Sequence, residues 1–250
     1  MRFIINEYFI PIWSYRKDKL FHTVLIAAIS LIGIEFYADL IPFKKIGFWL
    51  LEKQKKELAL LLFAESTQLY IWAIISNIAY ILIPAVYIAF SPGMQLKEMG
   101  LKRPDKGSYA LYVLMLMFML IPVFIISFQE EFQASYPFYR YSDGGAFWWQ
   151  GLSWEVLYAL QFVGVEFFFR GFLIHSTKHK LGINSVYFSL LPYVMIHFSK
   201  PLPECIGSIL AGFVLGHLSY KTNSIWGGVF LHIMVAMSMD FLSMWHRGLL

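Results

Sequence analysis

Residues 151–180 read GLSWEVLYALQFVGVEFFFRGFLIHSTKHK, a run apolar enough to cross a bilayer that nevertheless carries Glu166 and Arg170. A carboxylate in hydrocarbon costs about 3 kcal/mol on insertion scales, so it faces a protein interior, a partner or a water-filled cavity. Arg170 follows Glu166 by four residues, one helical turn along the same face, where it can pair with or orient the carboxylate. The stretch therefore predicts a membrane-spanning helix with a polar interior side.

The rest of the chain agrees. Of its 250 residues 58% are hydrophobic and 14% charged, with mean hydropathy +0.60. A soluble domain carries roughly 25% charged residues, so this chain lacks the polar surface to cover itself. Apolar runs lie at about 21–41, 69–90, 109–128, 151–172, 183–198, 204–220 and 225–244. The expected fold class is all-α: a polytopic transmembrane helical bundle of about seven spans, within a range of six to eight. Residues 1–96 hold the amino-terminal spans, and a Lys-rich segment at 44–65 reads as an interfacial amphipathic helix. Residues 97–250 form the core of what is one integral membrane domain overall. Residues 129–148, with Glu130, Glu131, Asp143 and Gly144-Gly145, are expected to form an aromatic loop.

Charge bounds the partners. The net charge is +4, and the cations Arg16-Lys17, Lys19, those of 97–106 and 178–180, and Lys221 fall on one side of a seven-span bundle. The positive-inside rule then places the amino terminus in the cytoplasm. The basic residues suit lipid headgroups, and no basic groove with interleaved stacking aromatics suggests nucleic acid. The single Cys205 excludes an intramolecular disulfide and a thiolate metal cluster. No small-residue cleavage site precedes the first long apolar run, so no cleavable signal is expected.

Two later apolar segments carry a histidine each, His197 and His232. Glu166 and His197 are equidistant from Leu181-Gly182, where a basic last turn and a glycine read as a helix stop. A hairpin folded there brings both residues to one height, about 23 Å along each helix. His232 fits the same layer from the start of the last span. Either histidine alone would read as a core histidine bonded across helices; three such groups at one depth point to a site. Ser208, Gly212 and Gly216 form a small-residue stripe that suits close helix packing. His175, His179, His217 and His246 are expected at the interface, and Glu204 at a solvated helix end.

These residues resemble the CPBP family of intramembrane proteases, the CAAX-protease and bacteriocin-processing group. Its Glu-Glu-x-x-x-Arg motif is matched by Val165-Glu166-Phe-Phe-Phe-Arg170-Gly171, its aromatic-x-x-x-His by Tyr193 and His197, and its late His by His232 after Trp226-Gly227-Gly228. Glu98-Met-Gly100-Leu-Lys-Arg-Pro104 resembles the connector that often precedes the family's core. The resemblance covers about residues 97–245. Val165 stands where the family has the first Glu of its pair, and Ala236 where it commonly has Asn or Asp after the last His. Asp240 lies one turn too deep to replace the latter, and Glu155 three turns from Glu166.

The resemblance implies an intramembrane endopeptidase of a bacterial inner membrane, acting on a membrane or lipid-anchored protein near one terminus. Glu166 is then the general base, Arg170 its partner, and His197 and His232 either bind zinc, with or without Glu166 as ligand, or orient the water without metal. Two other classes stand beside this reading. One is a non-catalytic membrane binding or immunity protein with a decayed motif; the other is an ion-coupled transporter, against which stands the lack of internal repeats.

Overall fold

The computed structural model describes residues 18–38, 41–139 and 147–249. Arg16-Lys17, Asp143 and Gly144-Gly145 lie outside the described residues. Among the described residues the chain is helical, with a lone bridge between Leu101 and Ser224 in place of any strand.

Helix Lys19–Gly33 (α1) continues as a π-helical stretch, Ile34–Ala38. The expected amphipathic helix is two helices, Ile41–Glu52 (α2) and Lys56–Phe63 (α3), broken where Gln54 takes a φ of 59°. Glu65–Asn77 (α4) runs through a π stretch, Ile78–Leu82, into Ile83–Phe90 (α5). Ser108–Ile126 (α6) and the short Glu130–Ser135 (α7) follow. Phe147–Glu166 (α8) passes through the π stretch Phe167–Leu173 into Ile174–Leu181 (α9). Asn184–Met195 (α10), Leu202–Thr222 (α11) and Trp226–His246 (α12) complete the chain.

Six of these stretches are long and apolar enough to cross a membrane: Lys19–Tyr37, Thr67–Phe90, Ser108–Ile126, Gly151–Leu181, Leu202–Thr222 and Trp226–His246. The expected span at 183–198 is the exception. Its helix has 12 residues and ends in turns that lead to Pro201. Pro192 lies within it and Pro203 opens α11, each removing a backbone donor. The all-α bundle stands, with a short seventh helix folded among six long ones.

The helix Gly151–Leu181 is the centre, with 72% of its apolar window buried against 17–44% for the other five. Its Phe run faces protein: Phe167, Phe168, Phe169 and Phe172 are buried, and Tyr80 packs on Phe168 and Phe169 at ring distances of 5.3 and 5.9 Å. Two π stretches thus meet, the kind of local widening that recurs at functional sites. The outer helices keep large apolar side chains exposed, such as Phe118 at 71%, as lipid-facing helices must.

Gly182 caps α9 with a φ of 55°, so the anticipated hairpin turn forms. The small-residue stripe also packs as expected. A Cβ on Gly212 would lie 2.6 Å from Leu190 Cδ1, and one on Gly216 2.9 Å from Val186 Cγ1, so α11 rests directly on α10. The basic segments converge on one end. Lys180 pairs with Asp18, Lys19 Nζ donates to Gly93 O at 3.1 Å, and Lys178 Nζ donates to Asn223 Oδ1 at 2.7 Å.

Candidate active site

Four residues from three helices meet beside the central helix. Glu166 closes α8 and is fully buried; Arg170, one turn on in the π stretch, is 1% exposed. His232 on α12 brings Nδ1 to 2.9 Å from Glu166 Oε1, and Arg170 Nη1 reaches the same oxygen at 3.3 Å. Tyr193 on α10 places its hydroxyl 3.0 Å from His232 Nε2, and the Arg170 guanidinium lies over its ring at 3.8 Å. Phe162 stacks on the His232 ring at 5.1 Å from below α8's last turn.

The partners fix the proton positions. A carboxylate can only accept, so His232 carries its proton on Nδ1 and Tyr193 O–H donates to Nε2. The Tyr193 carbonyl also accepts from His197 Nδ1 at 2.8 Å, which leaves His197 Nε2 as a bare acceptor. His197 therefore stands beside the site through Tyr193. No hydrogen bond or ion pair joins it to Glu166, Arg170 or His232 among the described residues.

Close packing holds the carboxylate. A Cβ on Gly228 would fall 2.8 Å from Glu166 Cδ, so only glycine lets α12 approach here. The start of α12 is clamped by the connector: Ile225 N donates to Gly100 O at 2.8 Å, and Trp226 Nε1 to Leu101 O at 3.3 Å. Gly100 adopts a φ of 73°, which explains a glycine in the connector.

Some buried valences remain open. Glu166 Oε2 and Arg170 Nη1 and Nη2 have no hydrogen-bond partner among the described residues. Such groups are costly to leave unmade and can take a hydrogen bond from or to a water. His232 at 15% side-chain exposure and the half-buried His197 form the accessible side.

Zinc does not fit this arrangement. A catalytic zinc takes three protein donors and an open position. Here both nitrogens of His232 and one of His197 are engaged by protein groups. No three His, Cys, Asp or Glu side chains converge for a metal among the described residues.

The other acidic candidates sit elsewhere. Asp240 Oδ1 accepts from Phe138 N at 3.0 Å and its side chain bonds Glu155, in a separate buried group. Val165 packs in the apolar cluster with Phe168 and Tyr80. Two sequence expectations fail. His175 is buried, not interfacial, with Nε2 3.1 Å from Ser219 Oγ; Glu204 is a half-buried acceptor of the Tyr136 hydroxyl at 2.7 Å. Sequence reasoning also passed over the roles of the Tyr193 hydroxyl and Gly228. The signal for Gly228 was its place one turn before His232 on the same face.

Residues 146–238 match a family described as type II CAAX prenyl endopeptidase, Rce1-like. No curated protein and no solved structure matches the chain. The matched stretch contains Glu166, Arg170, Tyr193, His197 and His232, and it bears out the CAAX-protease resemblance of the motifs.

Proposed function

From the premise that residues 146–238 carry the CAAX-protease pattern, we propose that the chain is an intramembrane endopeptidase in which Glu166 activates water without metal. One observation carries the reading. One oxygen of a buried carboxylate, Glu166 Oε2, has no hydrogen-bond partner, and neither has Arg170 Nη2, while Arg170 Nη1 pairs with the other oxygen, Oε1, at 3.3 Å. The pair offers an acceptor for the proton of a water and donors for the charge that develops.

In this mechanism a water bound at Glu166 Oε2 gives up a proton to that oxygen as its own oxygen attacks the scissile carbonyl carbon. The carbonyl π pair moves onto its oxygen, where the Arg170 N–H groups stabilise the oxyanion. Collapse breaks the C–N bond, and the proton on Glu166 passes to the leaving amine, yielding an acid and an amine. His232 and Tyr193 hold the Oε1 side of the carboxylate so that Oε2 is the atom presented. His197 Nδ1 donates to the Tyr193 carbonyl and so helps to position the residue whose hydroxyl orients His232. The family points to a membrane-associated protein as substrate, cut near a terminus at the membrane. The packed, apolar Val165 favours the rival reading, a non-catalytic binding protein on the same fold.

Cleavage of prenylated and unmodified carboxy-terminal tails by detergent-purified protein separates the two. Wild type should cleave, and the folded Glu166→Ala and Arg170→Ala variants should not. Equal cleavage by all three rejects the site, and no cleavage of any tail by wild type supports the binding protein.

A further inference from the structure

We propose that the cavity at the basic end of the bundle binds a phosphate group, carried by an anionic phospholipid headgroup or by a soluble phosphate ester. The cavity measures about 950 Å³ and lies between the start of α1, the connector after α5, α9 and the turn before α12. Ligand sites run from about 300 to 1,000 Å³, so the space admits a headgroup with its glycerol. Four lysines, Lys19, Lys97, Lys102 and Lys178, line it against one carboxylate, Glu98.

Lys178 is the anchor. Its ammonium donates to Asn223 Oδ1 at 2.7 Å and to His175 Nδ1 at 3.0 Å, both neutral acceptors. No acid lies within ion-pair distance of it among the described residues. An ammonium has three donors, so one remains for an anion in the cavity. Lys97 and Lys102 are exposed on the connector and can close on the same anion. Met94, Met99 and Leu101 complete the wall with apolar surface, as suits a phosphate attached to a glycerol or acyl part. The position also fits a headgroup, because it lies where apolar helices end in a basic cluster.

The floor of the cavity is tied to the candidate active site. An ammonium can only donate, so His175 carries its proton on Nε2 and donates to Ser219 Oγ at 3.1 Å. Ser219 in turn donates to the Arg170 carbonyl at 3.0 Å. Each member of the row has its direction set by the one before it. The ammonium that would hold the phosphate is thus linked by fixed hydrogen bonds to the backbone of Arg170. The inference does not depend on the protease reading.

The test is native mass spectrometry of detergent-purified protein titrated with phosphatidylglycerol or phosphatidylcholine of the same chains, with calorimetric titration of inorganic phosphate. Wild type should retain phosphatidylglycerol at least tenfold more than phosphatidylcholine. Lys97→Gln/Lys102→Gln/Lys178→Gln should bring that ratio down to about one. Saturable phosphate binding, lost in the triple variant without phosphatidylglycerol preference in wild type, assigns the site to a soluble phosphate ester. The exposed double variant Lys97→Gln/Lys102→Gln should fold and lose part of the preference, so it decides the matter if the triple variant does not fold. Equal retention of both lipids by wild type together with no phosphate binding overturns the proposal. So does phosphatidylglycerol retention or phosphate binding that these variants leave unchanged.

Discussion

Glu166 Oε1 and His232 Nδ1 meet at 2.9 Å although 66 residues separate them in the chain. The bond joins α8 to α12 between a fully buried carboxylate and a partly exposed imidazole, and Arg170 reaches the same oxygen at 3.3 Å. One oxygen of the carboxylate is therefore doubly held while the other has no hydrogen-bond partner. That asymmetry leaves one oxygen able to accept from a water.

Glu166→Gln keeps the size of the side chain and removes the charge. Peptidase activity should fall by at least about 100-fold, the usual contribution of a general base. Chelators should leave wild-type activity unchanged, since no step passes through a metal. Both are read by tail cleavage in detergent, with helicity followed by circular dichroism. Loss of activity with chelator, restored by zinc, would overturn the metal-free mechanism.

Gly228→Ala probes the same carboxylate from the other side. Its Cβ would fall 2.8 Å from Glu166 Cδ, so either the side chain or α12 must move. Overpacking of this kind costs typically about 1–3 kcal/mol. Activity should drop far more than thermal stability, because about 1 Å of misplacement at a reacting group costs about 100-fold. A variant as active as wild type would show that Glu166 need not be held where the structure puts it.

Tyr193→Phe removes the hydroxyl that donates to His232 Nε2 at 3.0 Å and leaves the ring under Arg170. A neutral hydrogen bond is worth about 1 kcal/mol, so kcat should fall about fivefold with KM little changed. A merely structural tyrosine would lower the unfolding midpoint and leave kcat of the folded fraction intact.

Much of this was legible in the sequence because hydrocarbon is a demanding solvent. Apolar runs of sufficient length gave the long spans, and a Glu inside one of them pointed to the candidate site. Gly182 gave the hairpin because its left-handed φ favours a residue without a Cβ. The failures have a common cause. The 44–65 segment broke at Gln54, α10 stopped short of a full span, and His175 turned inward to Ser219. Hydrophobic periodicity records none of these: an exposed turn at Gln54, backbone donors withheld by Pro192 and Pro203, and a serine supplied by another helix. His197 shows the limit of depth arithmetic: it touches Tyr193 and makes no hydrogen bond or ion pair with Glu166, Arg170 or His232 among the described residues.

Two glycines of α11 should behave oppositely. A Cβ on Gly212 would sit 2.6 Å from Leu190 Cδ1 and 2.7 Å from Tyr193 Cδ1, whereas nothing lies within 4 Å of one on Gly207. Gly212→Ala should destabilise by about 1–3 kcal/mol and disturb Tyr193, lowering activity as well. Gly207→Ala should be neutral or stabilising by up to about 1 kcal/mol through helix propensity. Thermal unfolding in one detergent compares them directly, and equal midpoints would contradict the packing of α11 on α10.

Val165→Glu restores the carboxylate that the family motif expects. Val165 is 7% exposed and packs in one cluster with Phe168, Phe169 and Tyr80, side chains with no cation among them and with the Tyr80 hydroxyl as their one polar group. A polar group buried without a hydrogen bond costs about 2–7 kcal/mol depending on reference state, more if ionised. The variant should lose stability and gain no activity, because position 165 belongs to the apolar core while Glu166 faces α12. Cleavage raised above wild type in a stably folded Val165→Glu protein would show instead that a second carboxylate is the missing part. Glu166 would then be half of an incomplete pair, not a sufficient base.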